Sequence, residues 1–94
     1  MRKVTQIICG AFENQRSAKL GNTQTDGEAL YLHGNKIAEW REGVLWISNA
    51  GWTSNTTKER LNGLRGVSIS QKDWQWYLNG KAWDGAWIAP ALTN

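Results

Sequence analysis

The chain has 94 residues, 40% hydrophobic and 20% charged, with a formal net charge of +3 at pH 7. That length fits one small domain, residues 1–94, and the balance of apolar to charged residues excludes a disordered tail. A single Cys excludes an internal disulfide, a single Cys with a single His excludes the common Cys/His zinc frameworks, and seven Trp stand against one Phe and two Tyr.

Met1-Arg2-Lys3 ahead of Val4–Phe12 has the outline of a signal peptide, but Thr5 and Gln6 interrupt the apolar run and Glu13-Asn14-Gln15-Arg16 closes it. No run approaches the roughly 20 apolar residues that cross a bilayer. The expected location is therefore the cytoplasm, which suits the unpaired Cys9, and no membrane partner is expected. Val4, Ile7, Ile8, Ala11 and Phe12 follow helical spacing and predict a helix over 4–18, with Arg16 and Lys19 near its C-terminal end and Gly21 as its stop. Residues 21–28 are polar and turn-rich, a loop with at most a short edge strand through Thr23–Thr25.

Residues 29–33 and 36–41 flank Gly34-Asn35, read as a hairpin turn that sets Leu32 opposite Ile37 and Tyr31 opposite Ala38. A turn at Arg41-Glu42-Gly43 leads to a third strand, Val44–Ser48. Alternation puts Leu30, Leu32, Leu45 and Ile47 on core faces, and Tyr31, Trp40 and Trp46 on the opposite side. Further on, Thr56-Thr57-Lys58-Glu59 reads as a capping box, with Thr56 as cap and Glu59 reaching back to its amide, ahead of a short helix over 57–62 ended by Gly63. Val67–Ser70 and Trp74–Leu78 alternate as strands, Asn79-Gly80 is a strong hairpin turn, and Lys81–Trp83 returns. Ala86–Ile88 adds a last edge strand, and Ala91–Asn94 is expected to fray. The hairpin chemistry of Tyr31–Lys36 is echoed at Tyr77–Lys81, which shared turn preferences explain better than duplication. The order is α-β-β-β-α-β-β-β, an α+β fold with a three-stranded meander and a C-terminal hairpin.

Charge is segregated along the chain: residues 1–20 and 55–72 each carry +3, 21–54 carry −2 and 73–94 carry −1. If the fold joins the two basic segments they form an anion-binding face; solvated surface charge is the plainer reading. Catalysis finds little support. Cys9 lies beside the apolar stripe of the first helix and His33 at a hairpin tip, so neither forms an obvious nucleophile-base pair. The carboxylates, Asp26, Glu28, Glu39, Glu42, Glu59, Asp73 and Asp84, match no metal-binding loop, and no phosphate-binding Gly motif is present. The expectation is a protein without catalytic residues, cofactor or metal.

Aromatic residues interleaved with cations, as in Trp40-Arg41, Lys72–Tyr77 and Lys81–Trp83, are the ingredients of a single-stranded nucleic-acid platform. The sharpest local feature is Ser54–Arg60, a helix start with hydroxyls, Lys58 and Arg60, which reads either as a phosphate seat or as an ordinary capped helix. The candidate contacts are Thr56, Thr57, Lys58, Arg60, Arg65 and Lys72, together with Trp40, Trp46 and Trp76. These would bind nucleic acid or a nucleotide-like anion. The alternative is an inhibitor that occupies another protein or sequesters a signalling nucleotide. Strands apolar on both faces leave room for a homodimer.

The segments Leu30–Ala38, Ile47–Trp52 and Thr56–Asn62, with Trp76–Gly80 and Trp83–Trp87, resemble a family of small proteins encoded by tailed bacteriophages, over about residues 21–88. The resemblance implies a phage-borne protein acting in the bacterial cytoplasm, where the inhibitor alternative becomes a counter-defence factor that occupies a host protein. It brings no activity and no functional residue.

Overall fold

Apolar side chains at helical spacing organise the first element. The computed structural model describes residues 2–92. Helix α1 (Lys3–Glu13) buries Thr5, Ile8, Cys9 and Phe12, one stripe facing the core. It ends well before residue 18, because the stripe lacks an apolar residue beyond Phe12. Gln15 turns the chain at a φ of 55°, and the Arg16 amide donates to the Ala11 carbonyl at 2.8 Å. Arg16 and Lys19 consequently fall outside the helix.

The chain returns as β1 (Ser17–Leu20), followed by β2 (Thr23–Asp26), β3 (Ala29–Leu32), β4 (Asn35–Arg41) and β5 (Val44–Ile47). These five strands form an antiparallel sheet in sequential order, so the expected three-stranded meander gains β2, where a short edge strand was expected within the loop, and β1, whose first residues were expected to end the helix. In β2 the residues that turn inward are Thr23 and Thr25, whose β-branched side chains suit a strand although neither is apolar. Their hydroxyls are satisfied inside: Thr25 donates to the Ala29 carbonyl at 2.6 Å, and Thr23 accepts from Arg60 at 2.9 Å.

Two turns differ from expectation by one residue. The β3–β4 turn is His33-Gly34, both at positive φ. It pairs Leu32 with Asn35 and Tyr31 with Lys36, not with Ile37 and Ala38, and a bulge beside Leu30 then sets Leu30 opposite Ala38. The β4–β5 turn is Glu42-Gly43, which pairs Arg41 with Val44, Trp40 with Leu45 and Glu39 with Trp46. Residues directly opposite share a face, so Trp40 joins Leu45 on the core side while Trp46 joins Glu39 on the other. The expectation that Trp40 and Trp46 share a face is corrected.

Helix α2 (Asn55–Leu61) packs its buried Thr57, Arg60 and Leu61 inward. A second antiparallel sheet follows, made of β6 (Ile69–Lys72), β7 (Gln75–Leu78) and β8 (Lys81–Ala82). The last expected strand reduces to one bridge, Ile88 with Ile47, beside the free edge of β5. A 3₁₀ turn, Pro90–Leu92, takes the first part of the tail expected to fray, and residues 93–94 lie outside the described residues. Ile8, Phe12, Leu30, Ile37, Ile47 and Leu61 are fully buried between α1, α2 and the larger sheet, and Trp76, Leu78 and Trp83 extend this core into the smaller one. Among the described residues no helix is long and apolar enough to cross a membrane.

Candidate nucleic-acid interface

The helix start that dominates the sequence reading turns out to be largely structural. Ser54, not Thr56, caps α2: its hydroxyl accepts from the Thr57 amide at 3.1 Å. Glu59 does not reach back to Thr56. It accepts instead from Arg60 and from the Thr5 hydroxyl on α1. Arg60 is only 2% exposed. Its guanidinium donates to Thr23 on β2 and to Thr5, each at 2.9 Å, and to Glu59 at 2.8 Å. An arginine held this way ties two helices to the sheet and cannot meet a phosphate. The two basic segments do meet here, but the cation at the contact, Arg60, is buried, while Arg2, Lys3, Arg16, Lys19, Arg65 and Lys72 stay exposed.

The other predicted contacts scatter. Thr57 is buried under its cap, Thr56 is half-buried, and the Lys58 ammonium donates to Gln71 on β6 at 2.9 Å. Arg65 is exposed, 3.8 Å from Glu13, and exposed Lys72 ends β6. Trp76 is buried against Trp83, ring centroids 6.2 Å apart, and is removed from the candidate contacts. Trp40 stacks on Phe12 at 5.0 Å, with its indole N–H donating to the Phe12 carbonyl at 3.0 Å. Of the three predicted Trp contacts only Trp46 lies on the outer face. Cys9 and His33 also have separate settings. The thiol lies 3.3 Å from the Arg60 carbonyl and burial pushes it up to about 12, while exposed His33 stands beside Asn22.

On the outer face of the five-stranded sheet a different group assembles. Trp46 stands opposite Glu39, and Arg41 follows Glu39 two residues along the same strand. The bridge at Ile88 sets Trp87 beside β5. The Arg41 guanidinium carbon lies 4.4 Å from the Trp46 ring centroid and 5.1 Å from that of Trp87, which is 37% exposed. Glu39 accepts from Arg41 and forms an ion pair with Lys36 at 3.1 Å. The hydrogen bond from Arg41 holds the Glu39 carboxyl below its usual range, and Glu39 raises Lys36. Across β1–β3 the same face continues as a shallow hollow lined by Lys19, Gln24, Asp26 and Tyr31. Two indoles and a phenol share this face with Lys19, Lys36 and Arg41.

Arg41, Trp87 and the hollow are the part that sequence reasoning missed. The signal was present in Glu42-Gly43: reading that pair alone as the turn aligns Glu39 with Trp46 and turns Arg41 toward it.

A model of the Kyanoviridae Gp96 protein family, from tailed phages of cyanobacteria, matches residues 1–89. The chain belongs to that family. The match takes in α1 and β1, ahead of the segments that carry the phage resemblance in the sequence, so this Gp96-family chain is matched through both of its sheets. No curated protein and no solved structure matches it.

Proposed function

We propose that this Gp96-family protein is a non-catalytic module that binds single-stranded nucleic acid on the outer face of its five-stranded sheet. The observation that carries the reading is the Trp46–Arg41–Trp87 stack. A guanidinium held between two indoles keeps its plane fixed, and its edge N–H groups remain suited to phosphate or base-edge acceptors. Half-exposed aromatic faces on an antiparallel sheet are a surface on which unpaired bases stack, at roughly 1–3 kcal/mol per base. Glu39 orients Arg41 and Lys36 and also repels phosphate, which limits the cations that meet the backbone to a few. Five strands span about 19 Å from β1 to β5, enough to link the Tyr31 hollow with the Trp46 stack along one strand of nucleic acid.

Fluorescence anisotropy of a fluorescein-labelled single-stranded oligonucleotide tests this. With Lys19, Lys36 and Arg41 engaged, the plot of log affinity against log salt has an expected slope of about −2. Arg41→Gln flattens that slope by about 0.7. Absence of binding to DNA and RNA strands alike, or binding indifferent to salt, removes the proposal.

A further inference from the structure

Among the described residues five adjacent pairs place both members at positive φ. Four have glycine second: His33-Gly34, Glu42-Gly43, Ala50-Gly51 and Asn79-Gly80. The fifth, Asp73-Trp74 at 52° and 70°, closes the β6–β7 hairpin with Lys72 opposite Gln75. A two-residue turn of this kind favours glycine in second place because a Cβ there is crowded. Here the chain carries its largest side chain instead, and that side chain is 93% exposed. The indole gains almost no burial within its own fold to offset the unfavourable backbone. Strain combined with exposure at a protruding tip is the mark of a group held out for another molecule.

A receptor of matching chemistry lies on the same chain. Leu32 and Ile37 floor a cleft of about 270 Å³, Trp52 (59% exposed) stands at its side, and His33, Ser54 and Thr56 are at its rim. Among the described residues no Lys, Arg, Asp or Glu lines it, and its floor is apolar. Its volume falls just below the roughly 300–1,000 Å³ typical of sites for drug-sized ligands. A single neutral aromatic side chain suits it.

We propose that two copies of the chain associate by inserting Trp74 of each into the cleft of the other. The exchange uses one surface twice, as a closed two-fold dimer requires. An indole buries about 150–250 Å², and the receiving wall loses a comparable area. Two reciprocal insertions therefore bury about 600–1,000 Å², below the roughly 1,200 Å² where stable standard-size interfaces begin. The dimer is accordingly weak and concentration-dependent. This association shares no residue with the nucleic-acid face and goes beyond that reading.

Sedimentation equilibrium of the full chain, without nucleic acid and up to about 1 mM, tests it. The wild-type mass should climb toward twice the monomer value. Trp74→Gly, whose turn then matches the other four, should stay monomeric and keep or raise its melting temperature. Thr56→Trp fills the cleft while leaving the tip intact and should also stay monomeric. N-acetyl-tryptophanamide should compete with the association of the wild type. A wild type monomeric throughout, or a Trp74→Gly protein that associates like the wild type, overturns the proposal.

Discussion

Arg60 shows how a charged residue becomes part of a small core. Its three hydrogen-bond partners come from α1, β2 and its own helix, so the cost of burying the guanidinium is met by groups that themselves need donors. Arg60→Leu leaves Thr5, Thr23 and Glu59 without that donor and is expected to cost about 3 kcal/mol, read as a lower urea midpoint. The same substitution should leave oligonucleotide affinity unchanged wherever the protein is folded. Cys9, next to this network, gives a pH prediction. Its thiol is raised from an ordinary value of 9.0 to about 12, chiefly by burial. The folded state therefore keeps a proton that the unfolded chain releases, and its contribution is complete below pH 9 and lost as pH rises toward 12. Cys9→Ala should remove up to one proton from the alkaline slope of stability, measured by urea unfolding between pH 8 and 11. An identical slope in both proteins would contradict the burial of the thiol.

At the scale of elements, caps and turns decide what the sequence reveals. α2 was legible as a helix but not its cap: Ser54 and Thr56 both offer a hydroxyl, and choosing between them depends on where the chain leaves β5. Ser54→Ala should cost about 1 kcal/mol in thermal unfolding while Thr56→Ala is nearly neutral; the reverse order would restore the Thr56 cap. Existence and order were plain for α1, β3, β4, β5 and the Asn79-Gly80 hairpin, since apolar spacing and turn residues agree there. β2 showed only as a short edge strand because it buries threonines, which no hydropathy pattern marks, and β1 was hidden because it buries no side chain fully. The interface was missed for a subtler reason. Counting Arg41 as part of the turn shifted β4 against β5 by one residue, and a one-residue shift exchanges the two faces of a strand. Thus Trp40 stood among the candidates in place of Arg41, its sequence neighbour.

For the whole molecule, the seven tryptophans divide by layer. Trp40, Trp76 and Trp83 pack into the interior or against α1. Trp46 and Trp87 flank Arg41 on the outer sheet, while Trp52 and Trp74 stand at the cleft and at the hairpin tip. Both helices cover one side of the larger sheet, and its other side keeps aromatic and basic side chains available. One face of the sheet is thus packed and the other receptive, and affinity for a fluorescein-labelled single strand in a Trp46→Ala/Trp87→Ala double variant tests that separation. Loss of two stacking surfaces predicts at least a tenfold weaker Kd at constant salt, roughly 1.4 kcal/mol or more, with the fold retained by circular dichroism. Wild-type affinity in the folded double variant would contradict the account.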